Sequence, residues 1–420
     1  MILNFLMVKK NRNMKNIILI IILLFTKIIS AQNTLPDYLE TAAKNNPELA
    51  SKFSEYNASL QIVPQVKALP DPQISFGYFI LPVETRTGPQ QAKISASQFF
   101  PWFGSLKAKE NAAIQSAKAK FEAFQQAKSK LFFDVRNSYY TLYYINKSIK
   151  ITQENLDILK SFKKLAAVKV EVGKASATDE LRIDMEIAEL ENKLALLKDV
   201  FYSEQVKFNN LLNAEKETSI KISEISDTDV FKIDENKIID SIKADNHDLK
   251  TLDFKLQSLD YLKTAARKDG MPKFSVGVDY TFIGTGGNNF AGTDAFLAPK
   301  IGISIPLNRK KYKAKVSEVQ FKQDAVKSKK QNAENLLETA SVTVFKDFKD
   351  AERRIELYRS QYNTANKALR LLENEYAVSS VGFEEILRME RKVLKYNLET
   401  EKAKSDREKA KNGIYFLTGN

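Results

Sequence analysis

Three long stretches of this 420-residue chain contain neither glycine nor proline, the two residues that most readily interrupt a helix. They cover residues 105–172, 174–269 and 307–381. The whole chain has only 14 glycines and 11 prolines, and these are confined to a few places. At 1.5 Å per residue, unbroken helices over the first and third stretches would be roughly 100 to 110 Å long. The sequence therefore predicts a protein built mainly from very long helices.

The apolar residues inside these stretches follow the heptad spacing of coiled coils. In the first stretch this pattern is carried by Val135, Ser138, Leu142, Ile145, Ile149, Thr152, Leu156 and Leu159. The segment after Gly173 continues it through Ile187, Leu190, Leu194, Leu197, Phe201, Phe208 and Leu211, with Glu204 alone out of pattern. A second returning segment follows Gly382, with Ile386, Leu387, Val393 and Leu394. We expect two antiparallel helical hairpins that turn at these glycines.

Four short segments between the helices alternate apolar and polar residues with period two, as strands with one apolar face do. They lie at residues 74–80, 93–99, 274–282 and 300–305. The connections at 82–91 and 284–294 are rich in turn-forming residues, so we expect two β-hairpins with exposed ends.

The two halves of the chain resemble each other, which indicates an internal duplication. The segment PQISFG at 72–77 matches PKFSVG at 272–277, and the glycine turns match at an offset of 209 residues. We predict a first repeat at 32–213, a linker of uncertain structure at 214–235 and a second repeat at 236–420. Each repeat would read helix, β-hairpin, long helix, returning helix.

The first 31 residues have the layout of a secretory signal peptide, with four basic residues before a run of nine apolar residues, 17–25, and a small-residue exit at Ser30 and Ala31. The apolar run is shorter than the roughly 20 residues that span a bilayer. Without this segment the formal charge falls from +13 to +8. The remaining basic residues are interleaved with acids, so we expect no nucleic-acid partner.

Catalysis has little support in the composition. The chain has no cysteine and one histidine, and it lacks a phosphate-binding glycine loop and a nucleophile elbow. We therefore expect no enzyme activity, no cofactor and no metal site.

The strand arithmetic points to an assembly in a membrane. Four strands are too few to close a barrel, and an open sheet edge in lipid would leave backbone groups unpaired. Two chains sharing eight strands are the minimum, and three chains sharing twelve also satisfy closure. The charged helices must project into water instead of lipid. A membrane pore continuous with a helical projection is a conduit.

Three segments resemble landmarks of the TolC-like outer-membrane efflux family, especially its heavy-metal and cation branch: LPDPQISFG at 69–77, FFPWFGSL at 99–106 and IGISIPL at 301–307. The resemblance covers essentially the whole chain after the signal segment. It implies a non-enzymatic homotrimer with a shared twelve-stranded β-barrel in the outer membrane and a helical tunnel in the periplasm. It also implies a periplasmic adaptor protein and an inner-membrane efflux pump as partners. Two alternatives stay open: the duct of a type I protein secretion system, and a periplasmic adaptor or scaffold without a pore.

The resemblance also implies roles for residues at the two helix turns. Adaptor docking is expected at Val172, Gly173, Lys174, Val381, Gly382 and Phe383. A narrowing just beyond the turns is expected from Asp179 and Glu385, with Arg388 at a position where another acid would fit the pattern. A ring of these carboxylates would favour cations, whereas Arg388 would neutralise it. Alternatively, the acids only complement the helix dipoles.

Four aromatic residues follow the second strand: Phe99, Phe100, Trp102 and Phe103. Such rings are typical of the boundary between membrane and water. They are equally typical of ordinary packing where a strand meets a helix, and the sequence favours neither interpretation.

Overall fold

The computed structural model describes residues 34–173, 176–226, 231, 233–286, 292–378 and 382–419. The predicted signal segment therefore lies outside the described residues. The helices are α1 (Leu35–Asn45), α2 (Pro47–Lys67), α3 (Ser105–Glu171), α4 (Ala177–Leu211), α5 (Glu235–Asp245), α6 (His247–Asp269), α7 (Arg309–Val378) and α8 (Phe383–Leu417). The strands are β1 (Gln73–Thr85), β2 (Gly88–Phe100), β3 (Lys273–Ile283) and β4 (Ala295–Ser304).

The predicted fold class, mainly helical with a small four-stranded β portion, is confirmed. Among the helices of the described residues, none combines the length and apolar character needed to span a bilayer.

Helices α3 and α7 are the long helices that the sequence predicts. They contain 67 and 70 residues, which corresponds to about 100 and 105 Å. Helix α4 returns along α3, and α8 returns along both α7 and α3. The heptad residue Glu204, the exception in the apolar pattern, accepts a hydrogen bond from Ser138 Oγ at 2.6 Å. The polar residue thus has a polar partner in the opposite helix.

The helices enclose two apolar clusters. One lies near the turns of the hairpins, where Leu156, Ile183 and Leu387 are buried together. The other lies around α1, where Val135 and Phe208 are buried. The first cluster contains residues of both hairpins and holds them side by side, whereas the second joins α1 and α2 to α3 and α4 within the first half of the chain.

The strands form one antiparallel sheet in the order β1-β2-β3-β4. The register aligns Phe76 with Ile94, and Ile94 with Tyr280, so apolar side chains share one face across neighbouring strands. Much of this face is exposed, with Ile80 reaching 89%. The opposite face is polar, and on it Asp279 pairs with Lys93 at 2.8 Å and Lys300 at 3.2 Å.

The first β-hairpin is longer than the sequence suggests. The segment predicted as a loop, 82–91, is mostly strand, because β1 continues to Thr85 and β2 begins at Gly88. Gly88 has φ of +131°, which suits the tight turn, and Thr85 Oγ1 donates to the Gly88 carbonyl at 2.6 Å. The sequence did not reveal this extension of the strands, because proline and charged residues interrupt the alternation of apolar and polar residues there.

Residues 214–226 have no regular secondary structure, but they are fastened to the helices. Tyr38 Oη and Tyr139 Oη accept hydrogen bonds from the backbone N–H groups of Lys221 and Ser223, at 2.9 and 2.8 Å. Ile222 packs against the cluster around α1. Residues 214–226 of the predicted linker are therefore packed against the helices.

Two asparagines at the starts of α2 and α6 make similar contacts. Asn46 caps α2 and donates from Nδ2 to the Leu211 carbonyl at 3.1 Å. Asn246 caps α6 in the same way and donates to the Leu417 carbonyl at 3.0 Å. In each half, one asparagine joins the start of a helix to the end of the returning helix.

Candidate gate at the helix tips

The first tip lies between α3 and α4. Helix α3 ends at Glu171, and Gly173 has φ of +71°, a left-handed conformation that glycine adopts without strain. Ser176 caps the start of α4, and its Oγ accepts a hydrogen bond from the Thr178 N–H at 3.2 Å. Asp179 follows in the first turn, where a carboxylate is favoured by the helix dipole.

Asp179 belongs to a small charged group that joins the two hairpins. Its Oδ1 lies 3.4 Å from Arg182 Nη1 one turn later on α4. Arg182 Nε in turn lies 3.6 Å from Glu384 Oε2 on α8. Arg182 therefore sits between an acid of its own helix and an acid of the other tip.

The second tip repeats this arrangement. Glu385 and Arg388 form an ion pair between Glu385 Oε2 and Arg388 Nη2 on α8. Glu385 and Arg388 are each 206 residues after Asp179 and Arg182. Both predicted gate acids thus have an arginine three residues later on the same helix. Sequence reasoning singled out Arg388 and missed Arg182, although the common offset was a signal that would have found it.

The predicted docking residues differ in exposure. Val172 is 60% exposed, and Gly173 and Gly382 are also at the surface. Phe383 is only 1% exposed, because its ring packs against Phe162 and Tyr376 with centroids 5.7 and 5.4 Å away. Lys174 and Val381 lie outside the described residues.

Tyr376 lies beneath the tips in an environment of mixed polarity. Lys169 Nζ stands 3.7 Å from the centre of its ring, close enough for a cation–π interaction. Burial, and then the nearby charge of Asp179, raise the pKa of the Tyr376 hydroxyl. The tyrosine therefore stays neutral and links the packed interior to the charged group at the tips.

Glu390 is a buried acid two turns into α8. It is 3% exposed, and its Oε1 accepts a hydrogen bond from Asn155 Nδ2 of α3 at 2.5 Å. Its other oxygen, Oε2, is buried and has no hydrogen-bond partner in the described part of the chain. Burial, and then the charge of Glu373, raise its pKa to about 7. The sequence did not predict that Glu390 is buried, because a single acid within a heptad is typical of an exposed position.

The four aromatic residues after β2 lie where the sheet meets α3. Trp102 stacks on Phe274 at the start of β3, with ring centroids 5.9 Å apart. Phe103 also contacts Phe274, yet it is 76% exposed, and Phe100 is exposed as well. Phe99 is half-buried. Part of the group packs internally and part of it faces outward.

The described ranges contain no group of three or more His, Cys, Asp or Glu side chains arranged to hold a metal ion. The one histidine, His247, instead bridges two elements: its ring nitrogens contact Glu122 Oε2 at 2.7 Å and the Gly419 carbonyl at 3.1 Å.

Residues 38–214 match the model of the outer membrane efflux protein family. The match covers 177 of the 420 residues, less than half of the chain. The match ends close to the predicted end of the first repeat, and the family is one of transport channels and not of enzymes. A search of curated protein sequences found no match to the chain.

Solved structures of outer-membrane channels share the fold of this chain over nearly its whole length. The channel OprN aligns with a TM-score of 0.76 at 17% identity, covering 92% of this chain and 89% of OprN. CusC aligns with a TM-score of 0.77 at 15% identity, covering 92% of each chain. VceC from Vibrio cholerae aligns with a TM-score of 0.76 at 13% identity, covering 92% of this chain and 96% of VceC. At these identities the similarity is one of fold.

Proposed function

We propose that this protein is an outer-membrane efflux channel, a passive exit duct formed by three copies of the chain. The observation that carries the proposal is the sheet, which exposes a continuous apolar face and continues directly into helices of about 100 Å. An exposed apolar face of this extent marks a surface made for lipid or a partner. The charged helices extend from it into an aqueous compartment, which we take to be the periplasm.

The sheet also supports the assembly. Strands β1 and β4 are its outer strands, so their free edges would be unpaired in lipid. Pairing β4 of one copy with β1 of the next removes every edge, and three copies give a closed barrel of twelve strands. Two copies would give eight, the smallest barrel known for bacterial outer membranes.

The mass of the particle in mild detergent tests this assembly. We expect light scattering, corrected for bound detergent, to give three chains per particle, and planar bilayers to show discrete ion conductance. A stable monomer without conductance would contradict the proposal and would favour a periplasmic scaffold.

We further propose that Asp179 and Glu385 narrow the duct at the helix tips and that Arg182 and Arg388 set the charge of this narrowing. With all four side chains in place, their charges cancel within one chain, and Glu384 beside Arg182 adds one further negative charge. The narrowing should then be only weakly selective for cations, because a charged ring selects by its net field.

Two matched double variants test the charge of the tips. Arg182→Gln with Arg388→Gln removes six positive charges from a trimer and should strengthen cation preference. Asp179→Asn with Glu385→Gln removes six negative charges and should reverse that preference. The measurement is the reversal potential in a KCl gradient, with Glu356→Gln, an exposed acid of α7, as the control. Unchanged reversal potentials in both double variants would rule out this gate.

Adaptor docking at the tips is part of the same proposal, with an inner-membrane pump as the source of the cargo. Val172 is exposed enough to reach a partner, whereas Phe383 would act by holding the tip in shape. A photoreactive residue at position 172 should crosslink to a periplasmic protein in cells. One at the exposed Phe321, near the start of α7 and far from the tips, should not. Equal crosslinking from both positions would argue against docking at the tips. Cation cargo, the specialisation suggested by the sequence, stays a hypothesis that transport assays must decide.

A further inference from the structure

The two long helices begin with basic residues, at the end where a helix favours acids. The first turns of α3 and α7 contain no acidic residue. Helix α7 starts with RKKYKAK at 309–315, five basic residues in seven, and α3 carries Lys107 and Lys109. Positive charge opposes the helix dipole at this position. By contrast, α4 and α8 begin with two acids each at the opposite end of the molecule.

The basic feature is duplicated. The sequence Lys107-Ala108-Lys109 recurs as Lys313-Ala314-Lys315 at an offset of 206 residues, the same offset that relates the two gate pairs. We call Lys107, Lys109 and residues 309–315 the basic collar. An arrangement that opposes the helix dipole in both halves of the chain points to an external anion as the compensating charge.

Few carboxylates are available to neutralise the basic collar. Asp269 is shared between Lys109 at 3.2 Å and Lys315 at 3.5 Å. Glu110 already pairs with Lys107 at 2.9 Å and with a lysine of α2 at 3.1 Å. Across the described residues, no carboxylate lies within ion-pair distance of the exposed residues Lys310, Lys311 and Lys313. These three ammonium groups are free to bind a ligand.

The position of the basic collar identifies the kind of ligand. It begins two residues after Leu307, which is 87% exposed, and Ile303 and Ile305 of the same segment are also exposed and apolar. In the other half, the exposed Phe103 lies just before Lys107. Apolar residues followed at once by lysines match the depth profile of a membrane, hydrocarbon first and headgroups next.

We propose that the basic collar binds the phosphate headgroups of anionic phospholipids in the membrane leaflet that faces the helices. The inference rests on the proposed function, because that function places the sheet in a bilayer. Lipid phosphate supplies the negative charge that the starts of α3 and α7 lack, and the contact fixes the depth of the sheet in the membrane.

The test compares Lys310→Gln/Lys311→Gln/Lys313→Gln with Lys327→Gln/Lys329→Gln/Lys367→Gln, which removes the same charge from exposed positions farther along α7. Native mass spectrometry of the detergent-purified channel is titrated with phosphatidylglycerol and with phosphatidylcholine. We expect the wild type and the control to prefer phosphatidylglycerol. Each lysine near an anionic surface strengthens binding about fivefold. The preference of the collar variant for phosphatidylglycerol should therefore be roughly two orders of magnitude weaker than that of the wild type.

Three outcomes would overturn the proposal. They are equal binding of the two lipids by the wild type, equal loss in the control variant, and competition by millimolar inorganic phosphate, which would indicate a general anion site. Circular dichroism and particle mass must show that both variants fold and assemble. Bilayer conductance separates the two hypotheses: a conducting wild type without lipid preference refutes only the collar, whereas a wild type that neither inserts nor conducts refutes the proposed function.

Discussion

Replacing Glu390 with glutamine should remove a pH dependence from the stability of the protein. The carboxyl group of Glu390 is buried between α8 and α3, and its pKa is raised from 4.5 to about 7 by burial and by the charge of Glu373. The folded protein therefore holds a proton on this group over a pH range in which the unfolded chain releases it. As a consequence, its contribution to stability is full below pH 4.5, falls as the pH rises to about 7, and is constant above that value.

The stability that the wild type loses between pH 4.5 and 7 follows from the rise in the pKa of Glu390. A rise from 4.5 to about 7 corresponds to about 3 kcal/mol per chain as an upper value, since a pKa difference of one is worth 1.36 kcal/mol. Glutamine resembles the protonated acid in shape and keeps an oxygen for the hydrogen bond from Asn155 Nδ2. The variant should match the wild type at pH 4.5 and be more stable than it at pH 8.

The assay is thermal unfolding in detergent between pH 4.5 and 8.5, followed by circular dichroism. We expect the midpoint of Glu390→Gln minus that of the wild type to rise by several degrees across this range. Glu356→Gln, at an exposed position of α7, is the control and should show a constant difference. A difference for Glu390→Gln that does not change with pH would refute the reasoning, because it would mean that the buried group is ionised throughout.

Two further substitutions test the packing. Asn246→Ala removes the cap of α6 and the bond to the Leu417 carbonyl, so the free energy of unfolding should fall by about 1 to 2 kcal/mol; a change in melting below one degree would contradict this role. Gly413→Val places methyl groups against Val344, whose Cγ2 would lie 3.0 Å from even a Cβ at position 413. This overpacking should cost about 1 to 3 kcal/mol, whereas Ala314→Val, at an exposed position, should melt close to the wild type.

Local periodicity predicted the long elements of this fold. The absence of glycine and proline over 105–172 and 307–381 favoured α3 and α7, because backbone propensity adds up over many residues. The same absence over 174–269 did not give one helix: that stretch forms α4, an irregular segment, α5 and α6. Alternation with period two predicted the cores of all four strands for a similar reason. It failed at the end of the first β-hairpin, where β1 and β2 extend by pairing with each other through residues that do not alternate.

The sequence by itself determined the two long helices, the turns at Gly173 and Gly382, and the amphipathic strands. Only the tertiary structure decided which side chains meet across the hairpins. Arg182 lies near Glu384, 202 residues later, and Asn155 binds Glu390, 235 residues later. A heptad pattern fixes which stripe of a helix is buried, but the relative rotation and sliding of two helices decide which polar residues face each other. That geometry is set by the packing of both hairpins together, and no local pattern in the chain encodes it.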